Sequence, residues 1–120
     1  MEQEQTKEIG HPVFHVRWHR FVHADLAEIN PGIVEGLIEA AEYRLSRVPA
    51  HIGRPLKGTT HKLWRITFYK YCIVYTIKMQ QKEVWILAVQ KPEAIYRHPQ
   101  IIELLKLAVV IQEEANRAAW

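Results

Sequence analysis

The sequence has a single cysteine and no apolar run long enough to cross a membrane, and each shortage excludes a class of protein. One cysteine, Cys72, among 120 residues rules out an internal disulfide and is typical of a reducing compartment. A membrane-spanning helix needs about 20 consecutive apolar residues, and no such run occurs. The first five residues are polar and partly acidic, so no secretory signal is visible. We therefore expect a cytoplasmic protein with no membrane partner.

Glycine and proline are also scarce, with 5 and 6 residues, and the composition is 48% hydrophobic and 24% charged. These proportions are ordinary for a globular protein, and 120 residues suffice for one domain with a real core. Residues 1–10 lack periodicity and are predicted to be a disordered leader. We assign residues 11–98 to the domain and residues 99–120 to a C-terminal helix.

Acidic residues are nearly absent from one part of the chain. Residues 51–97 hold nine Lys and Arg against two Asp and Glu, a net charge of +7. Residues 1–50 carry −3 and residues 98–120 carry −1. Such asymmetry is typical of proteins that bind a polyanion, most often nucleic acid, although a solvated basic face has the same composition.

The basic segment coincides with three runs of β-branched and aromatic residues, whose short connectors allow only antiparallel neighbours. Upstream, alternation predicts a strand, and Asn30 followed by Pro31 predicts the N-terminus of an amphipathic helix that Pro49 would end. A long loop, residues 50–60, would precede the sheet. The predicted elements are a strand at 13–18, helices at 24–29 and 31–48, strands at 62–68, 71–77 and 83–89, and a helix at 100–117. We expect an α+β fold in the order β-α-α-β-β-β-α, with an antiparallel sheet that receives the N-terminal strand and a two-helix hairpin on one face.

The predicted last helix is apolar on more than one face, which indicates more than one neighbour. We expect it to pack on its own sheet and also on a partner. A second copy of this chain, forming a homodimer through the helix, is one candidate for that partner.

Several residues have both a structural and a chemical interpretation. His11, His15, His19 and His23 recur every four residues, but the strand pattern through this region scatters them, so we expect no metal site and no cofactor. Cys72 lies inside an apolar run and is interpreted as a small buried hydrophobe rather than a nucleophile. The tryptophans of the sheet, Trp64 and Trp85, are most simply packing residues, with base stacking as the alternative.

Five motifs resemble those of the RelE/ParE toxin superfamily and occur in the same order and spacing. They are Leu56-Lys57-Gly58, Leu63-Trp64-Arg65-Ile66, Tyr71-Cys72-Ile73-Val74-Tyr75, Ile86-Leu87-Ala88-Val89 and Ile95-Tyr96-Arg97. The resemblance covers about residues 13–97 and includes the helical hairpin ahead of the sheet. It implies a small bacterial toxin that an antitoxin protein neutralises.

RelE-like members of the superfamily cut mRNA in the ribosomal A site, and ParE-like members inhibit DNA gyrase. The resemblance therefore implies a ribosome-dependent endoribonuclease without a metal, with a gyrase inhibitor or an inactive antitoxin-binding member as alternatives. RNA cleavage by its own 2′-hydroxyl requires a base, an acid and cations near the phosphorane.

By position in the motifs, the resemblance implies four catalytic residues and a set of RNA-binding residues. The catalytic candidates are Lys57, Arg65, Lys91 and Tyr96, and the RNA-binding candidates are Arg54, His61, Lys62, Lys70 and Arg97. Three positions depart from the pattern of RelE-like nucleases. Cys72, Thr67 and Pro92 stand where those nucleases usually or often have a basic residue.

Overall fold

The computed structural model describes residues 12–60 and 62–118, so the leader predicted at residues 1–10 lies outside the described part. The elements are β1 (His15–Trp18), α1 (Val22–Ala27), α2 (Pro31–Leu45), α3 (Pro49–Ile52), β2 (Arg54–Pro55), β3 (Trp64–Phe68), β4 (Tyr71–Lys78), β5 (Glu83–Gln90), α4 (Pro92–Ile95) and α5 (His98–Ala118). They confirm the predicted α+β class and the order of its main elements.

The strands form one five-stranded sheet in the order β1-β5-β4-β3-β2. Strands β2 to β5 are antiparallel, whereas β1 runs parallel to β5 with His15 beside Glu83. The sheet is therefore mixed. Strand β2 lies inside the segment that was predicted to be a loop. The prediction missed it because a two-residue strand that contains a proline has no periodicity from which a strand can be recognised.

Helix α2 begins as predicted and buries one apolar stripe. The Asn30 side chain accepts a hydrogen bond from the Gly32 N–H at 2.8 Å, which satisfies one free donor of the first turn. Leu37, Ala41 and Leu45 are buried at a spacing of four residues. They pack with α1 against one side of the sheet, which we call the hairpin face. The helix ends at Leu45, and Pro49 begins α3 rather than ending α2, since proline fits the first turn of a helix.

Helix α5 covers part of the other side of the sheet, which we call the C-terminal face. Its buried stripe, Leu104, Ala108 and Ile111, belongs to the core cluster that contains Val74 and Leu87 of the sheet. None of the helices in the described ranges is both long enough and apolar enough to cross a bilayer.

Two polar contacts fix the C-terminal half of α5 to the sheet. The Gln112 amide donates to the Thr76 hydroxyl at 3.1 Å and to the Ile77 carbonyl at 2.8 Å. Ile102 and Val110 of the same helix are exposed. A second chain on this helix therefore stays a prediction.

The short helix α3, which precedes β2, is anchored by a buried tyrosine. The Tyr75 side chain is fully buried on the hairpin face, and its hydroxyl donates to the Pro49 carbonyl at 2.6 Å. Burial raises the pKa of Tyr75 well above its ordinary value, so the hydroxyl keeps its proton. A Cβ atom at Gly53 would overlap this hydroxyl. Glycine is thus required where the chain turns from α3 into β2.

Replacement of Tyr75 by phenylalanine is expected to lower the free energy of unfolding by about 1–3 kcal/mol, because a buried carbonyl loses its donor. The measurement is urea unfolding followed by circular dichroism. Tyr43→Phe is the matched control, since Tyr43 is exposed on α2, and its change should stay within about 0.5 kcal/mol. Equal stability of the two variants would contradict an anchoring role for the Tyr75 hydroxyl.

Candidate functional site

Arg65 lies at the second position of β3, on the C-terminal face. The strand alternates: Trp64, Ile66 and Phe68 pack on the hairpin face, so Arg65 and Thr67 point to the opposite side. Arg65 pairs across the sheet with Val74, whose side chain is buried under α5. Thr67 is exposed and Arg65 is partly exposed. This part of the C-terminal face is therefore open to solvent beside an apolar core.

Tyr96 reaches the same place from a different element. It caps the C-terminus of α4, and its N–H bonds the Pro92 and Ala94 carbonyls. Its side chain is 46% exposed. Partial burial raises the pKa of the Tyr96 phenol, while the neighbouring positive charge of Arg65 opposes that rise. Tyr96 is therefore protonated at neutral pH and can donate a hydrogen bond next to a cation.

Cys72 lies on the same side of the sheet, close enough to interact electrostatically with Arg65 and Tyr96. It lies opposite Thr67 in the β3–β4 ladder and is only 1% exposed. Burial raises the pKa of the Cys72 thiol, and the charge of Arg65 offsets this only in part. A buried thiol with a raised pKa is a poor nucleophile. The structure agrees with the interpretation of Cys72 as a core residue.

A second arginine joins the site from the edge strand. Arg54 of β2 is the direct partner of Arg65 in the antiparallel ladder, and Pro55 is the partner of Trp64. Residues that face each other in such a ladder project on the same side of the sheet. Arg54 is thus placed on the C-terminal face beside Arg65, with its side chain exposed.

The turn between β2 and β3 carries two further predicted residues. The Leu56 N–H donates to the Leu63 carbonyl at 2.8 Å and closes the base of the turn. Within it, the Thr59 hydroxyl donates to the Leu56 carbonyl at 2.7 Å, and the Lys62 N–H donates to the Thr59 carbonyl at 2.9 Å. Lys57 and Lys62 are exposed on this turn. His61 lies outside the described residues.

The remaining predicted residues are not part of this group. Lys91 and Arg97 line a separate groove of about 550 Å³ between α1, the end of β5 and α4, together with Tyr71 and Glu28. Lys70 lies in the β3–β4 turn, beyond the last ladder pair of those strands. The structure pairs Arg54 with Arg65 across the ladder and brings the charge of Arg65 within reach of Tyr96, whereas Lys91 and Arg97 line another groove.

The β3–β4 turn itself departs from the usual turn chemistry. Tyr69 and Lys70 both have positive φ, 52° and 69°, where Asn-Gly is favoured. Each left-handed residue of this kind costs roughly 1–2 kcal/mol. The Tyr69 hydroxyl lies over Gly36 of α2, where a Cβ atom would be 3.1 Å away. No local sequence pattern predicts this contact.

A different group of charges at the far end of the sheet is fully paired. Glu83 accepts contacts from Lys78 and Arg17 at 3.3 Å and from the Trp85 indole N–H at 3.0 Å. Burial alone would raise the pKa of Glu83, but these hydrogen bonds and charges hold it below its usual value. The Lys78 ammonium also lies 5.5 Å from the centre of the Trp85 ring. Trp85 is therefore a packing residue, as its cross-strand position predicted.

Comparison with known proteins identifies the fold. No protein-family model and no curated protein sequence matches the chain. Among solved structures, the toxin–antitoxin complex RelBE2 from Mycobacterium tuberculosis is 28% identical, covers 65% of this chain and 96% of its own, and superposes with a TM-score of 0.60. A free arginine-to-alanine mutant of the E. coli toxin RelE is 17% identical, with coverage of 68% and 86% and a TM-score of 0.57. The same mutant bound to an antitoxin RelB peptide is 15% identical, with coverage of 70% and 90% and a TM-score of 0.55.

The chain therefore has the RelE-like toxin fold, and the predicted resemblance is confirmed at the level of the fold.

Replacement of Arg65 by glutamine is expected to raise the pKa of the Tyr96 phenol further, because the guanidinium charge favours the phenolate. The measurement is an NMR titration of ¹³Cζ-labelled tyrosine, with the Tyr96 signal assigned from Tyr96→Phe. Arg44→Gln, on the exposed side of α2, is the matched control and should leave the titration unchanged. An unchanged Tyr96 pKa in Arg65→Gln would mean that the two side chains do not share a site.

Proposed function

We propose that this chain is the toxin of a toxin–antitoxin pair and that it cleaves mRNA in the ribosome, in the cytoplasm, without a metal ion. The observation that carries the proposal is the placement of Arg65 beside the protonated Tyr96 on the open part of the C-terminal face. A phosphodiester bound on this face would meet a cation and, within reach of that cation's charge, a hydrogen-bond donor.

The chemistry assigns one role to each side chain. Attack of the 2′-hydroxyl places extra negative charge on the phosphorus oxygens, and Arg65 is the group that stabilises it, since guanidinium is a fixed cation with planar donors. Tyr96 carries a proton that it can give to the leaving 5′-oxygen. Lys57 is the amine proposed to accept the 2′-hydroxyl proton, which requires nearby cations to favour its neutral form.

The remaining cations extend the surface along which the RNA strand is proposed to run. Phosphate contacts from Lys and Arg supply affinity and position without reading sequence. The residues proposed for this role are Arg54, His61, Lys62, Lys70 and Arg97, and Lys91 keeps its proposed catalytic role although it lines the separate groove. The ribosome would hold the strand in place. Such positioning is needed because the neutral residues Thr67 and Cys72, which pair in the ladder beside Arg65, supply no charge to bind the RNA.

An antitoxin is the proposed protein partner. RelBE2 is a toxin–antitoxin complex, and RelE has been captured with an antitoxin peptide. We infer that this chain is likewise neutralised by a protein of that kind.

Replacement of Arg65 by alanine is expected to lower ribosome-dependent mRNA cleavage by about 10²–10³-fold, the usual loss when one charge-stabilising donor is removed. The double variant Lys57→Ala/Arg65→Ala should no longer arrest growth. The measurements are primer extension on ribosome-bound mRNA and growth after induction. Arg44→Ala, a surface arginine on the opposite layer, should remain fully toxic.

The same induction experiment separates the proposed target from DNA gyrase. Immediate loss of protein synthesis supports the ribosome, whereas DNA damage and filamentation would assign the toxicity to gyrase. Full toxicity of the double variant would place the active site elsewhere.

A further inference from the structure

The pairing of Arg54 with Arg65 places two like charges where they repel. Residues directly opposite in an antiparallel ladder have Cβ atoms about 5 Å apart, and like charges at such positions are destabilising. Within residues 12–60 and 62–118 the ion pairs are those of Glu83 with Arg17 and Lys78, so neither arginine meets a carboxylate there. The repulsion has no internal counterion in the described structure.

The backbone gives Arg54 little freedom to move away. On one side, Gly53 packs against the Tyr75 hydroxyl, and a Cβ atom there would also come within 2.9 Å of the Arg65 carbonyl oxygen. On the other side, the bond from the Leu56 N–H to the Leu63 carbonyl continues the ladder. Both ends of β2 are therefore tied to the sheet, so the backbone of Arg54 is held opposite that of Arg65.

We propose that Arg54 and Arg65 form a two-armed site for one phosphodiester of a single-stranded RNA, and that Arg54 is a required phosphate-binding residue. This inference rests on the proposed function, in which Arg54 is one of several RNA-binding cations, and gives Arg54 a direct part in the phosphate site of Arg65. Guanidinium groups bind phosphate oxygens through two parallel N–H bonds, so two of them on one side of the anion surround it with donors. The bound phosphate supplies the counterion that the pair lacks.

An edge-strand arginine can also act merely to prevent another strand from adding to the sheet. That role needs a charge at the position but not a guanidinium, and it does not depend on Arg65. A phosphate site requires both arginines together. The two roles therefore differ in their response to Arg54→Lys and in the coupling of Arg54 to Arg65.

The test is binding of a 2′-O-methylated RNA oligonucleotide, which cannot be cleaved, to the purified full chain. Arg54→Gln is expected to weaken binding about 10-fold or more, as for loss of a charged hydrogen bond. The slope of log K against log salt should fall by about 0.7, the value for one phosphate contact of a single strand. Arg54→Lys should keep the slope and recover only part of the affinity, and Arg44→Gln should resemble the wild type.

A second measurement does not depend on RNA. In low salt, Arg54→Gln is expected to raise the melting temperature, because the repulsion with Arg65 is relieved, and high salt should remove the gain. Inorganic phosphate should stabilise the wild type more than the variant. In the double variant Arg54→Gln/Arg65→Gln, the loss of binding should be smaller than the product of the two single losses, since both side chains hold one anion.

The inference would be overturned if Arg54→Gln bound the oligonucleotide with wild-type affinity. It would also be overturned if the loss of affinity in the double variant equalled the product of the two single losses. Its failure is distinguishable from failure of the proposed function. Oligonucleotide binding that depends on Arg54, without any cleavage on ribosomes, would leave the phosphate site standing and reject the nuclease. Cleavage that depends on Arg65 but is unchanged in Arg54→Gln would support the nuclease and reject the two-arginine phosphate site.

Discussion

The hydrogen bond from the buried Tyr75 hydroxyl to the Pro49 carbonyl is the contact on which the cationic edge of the sheet depends. Tyr75 lies in the central strand, and its ring packs in the hydrophobic core. Its hydroxyl donates a hydrogen bond to the first residue of α3. The glycine at 53 lets the chain pass over this hydroxyl and enter β2. A core residue thereby sets the position of Arg54, the residue that follows this glycine and begins β2. Packing and charge placement are coupled at this point.

The position of α5 determines which part of the C-terminal face is buried in the core and which part is open for the site. Leu104, Ala108 and Ile111 cover the middle of the sheet and leave Arg65 and Thr67 of β3 open to solvent on this side. Because the two-residue period of β3 sends Arg65 and Thr67 to this uncovered side, one strand serves the core with one face and the site with the other. The open area is bounded by buried apolar side chains, which lower the local dielectric and strengthen interactions of Arg65 with an anion.

Sequence patterns predicted the long elements because their periodicity is strong, as in the Leu37, Ala41 and Leu45 stripe of α2 and the alternation of β3. They missed what depends on pairing across the sheet. Nothing local marks Arg54-Pro55 as a strand, or Tyr69-Lys70 as a turn with two positive φ angles. The motifs therefore named candidate residues but did not predict which of them lie close together. The register of the β2–β3 ladder places Arg54 opposite Arg65. Lys91 and Arg97 instead line a different groove.

The two groups of cations on this sheet differ in how their charge is balanced. Where Arg17 and Lys78 have a structural role, Glu83 lies between them and the Trp85 indole completes the arrangement. Burying Lys78 without that carboxylate would cost several kcal/mol. The pair of Arg54 and Arg65 has no such acid in the described part of the chain, yet the ladder holds the two backbones opposite each other. A protein can retain an unbalanced pair of charges at a modest cost in stability, and such costs concentrate at functional sites. Among the described residues Glu83 supplies the balancing charge at one end of the sheet, and the proposed bound phosphate would supply it at the other.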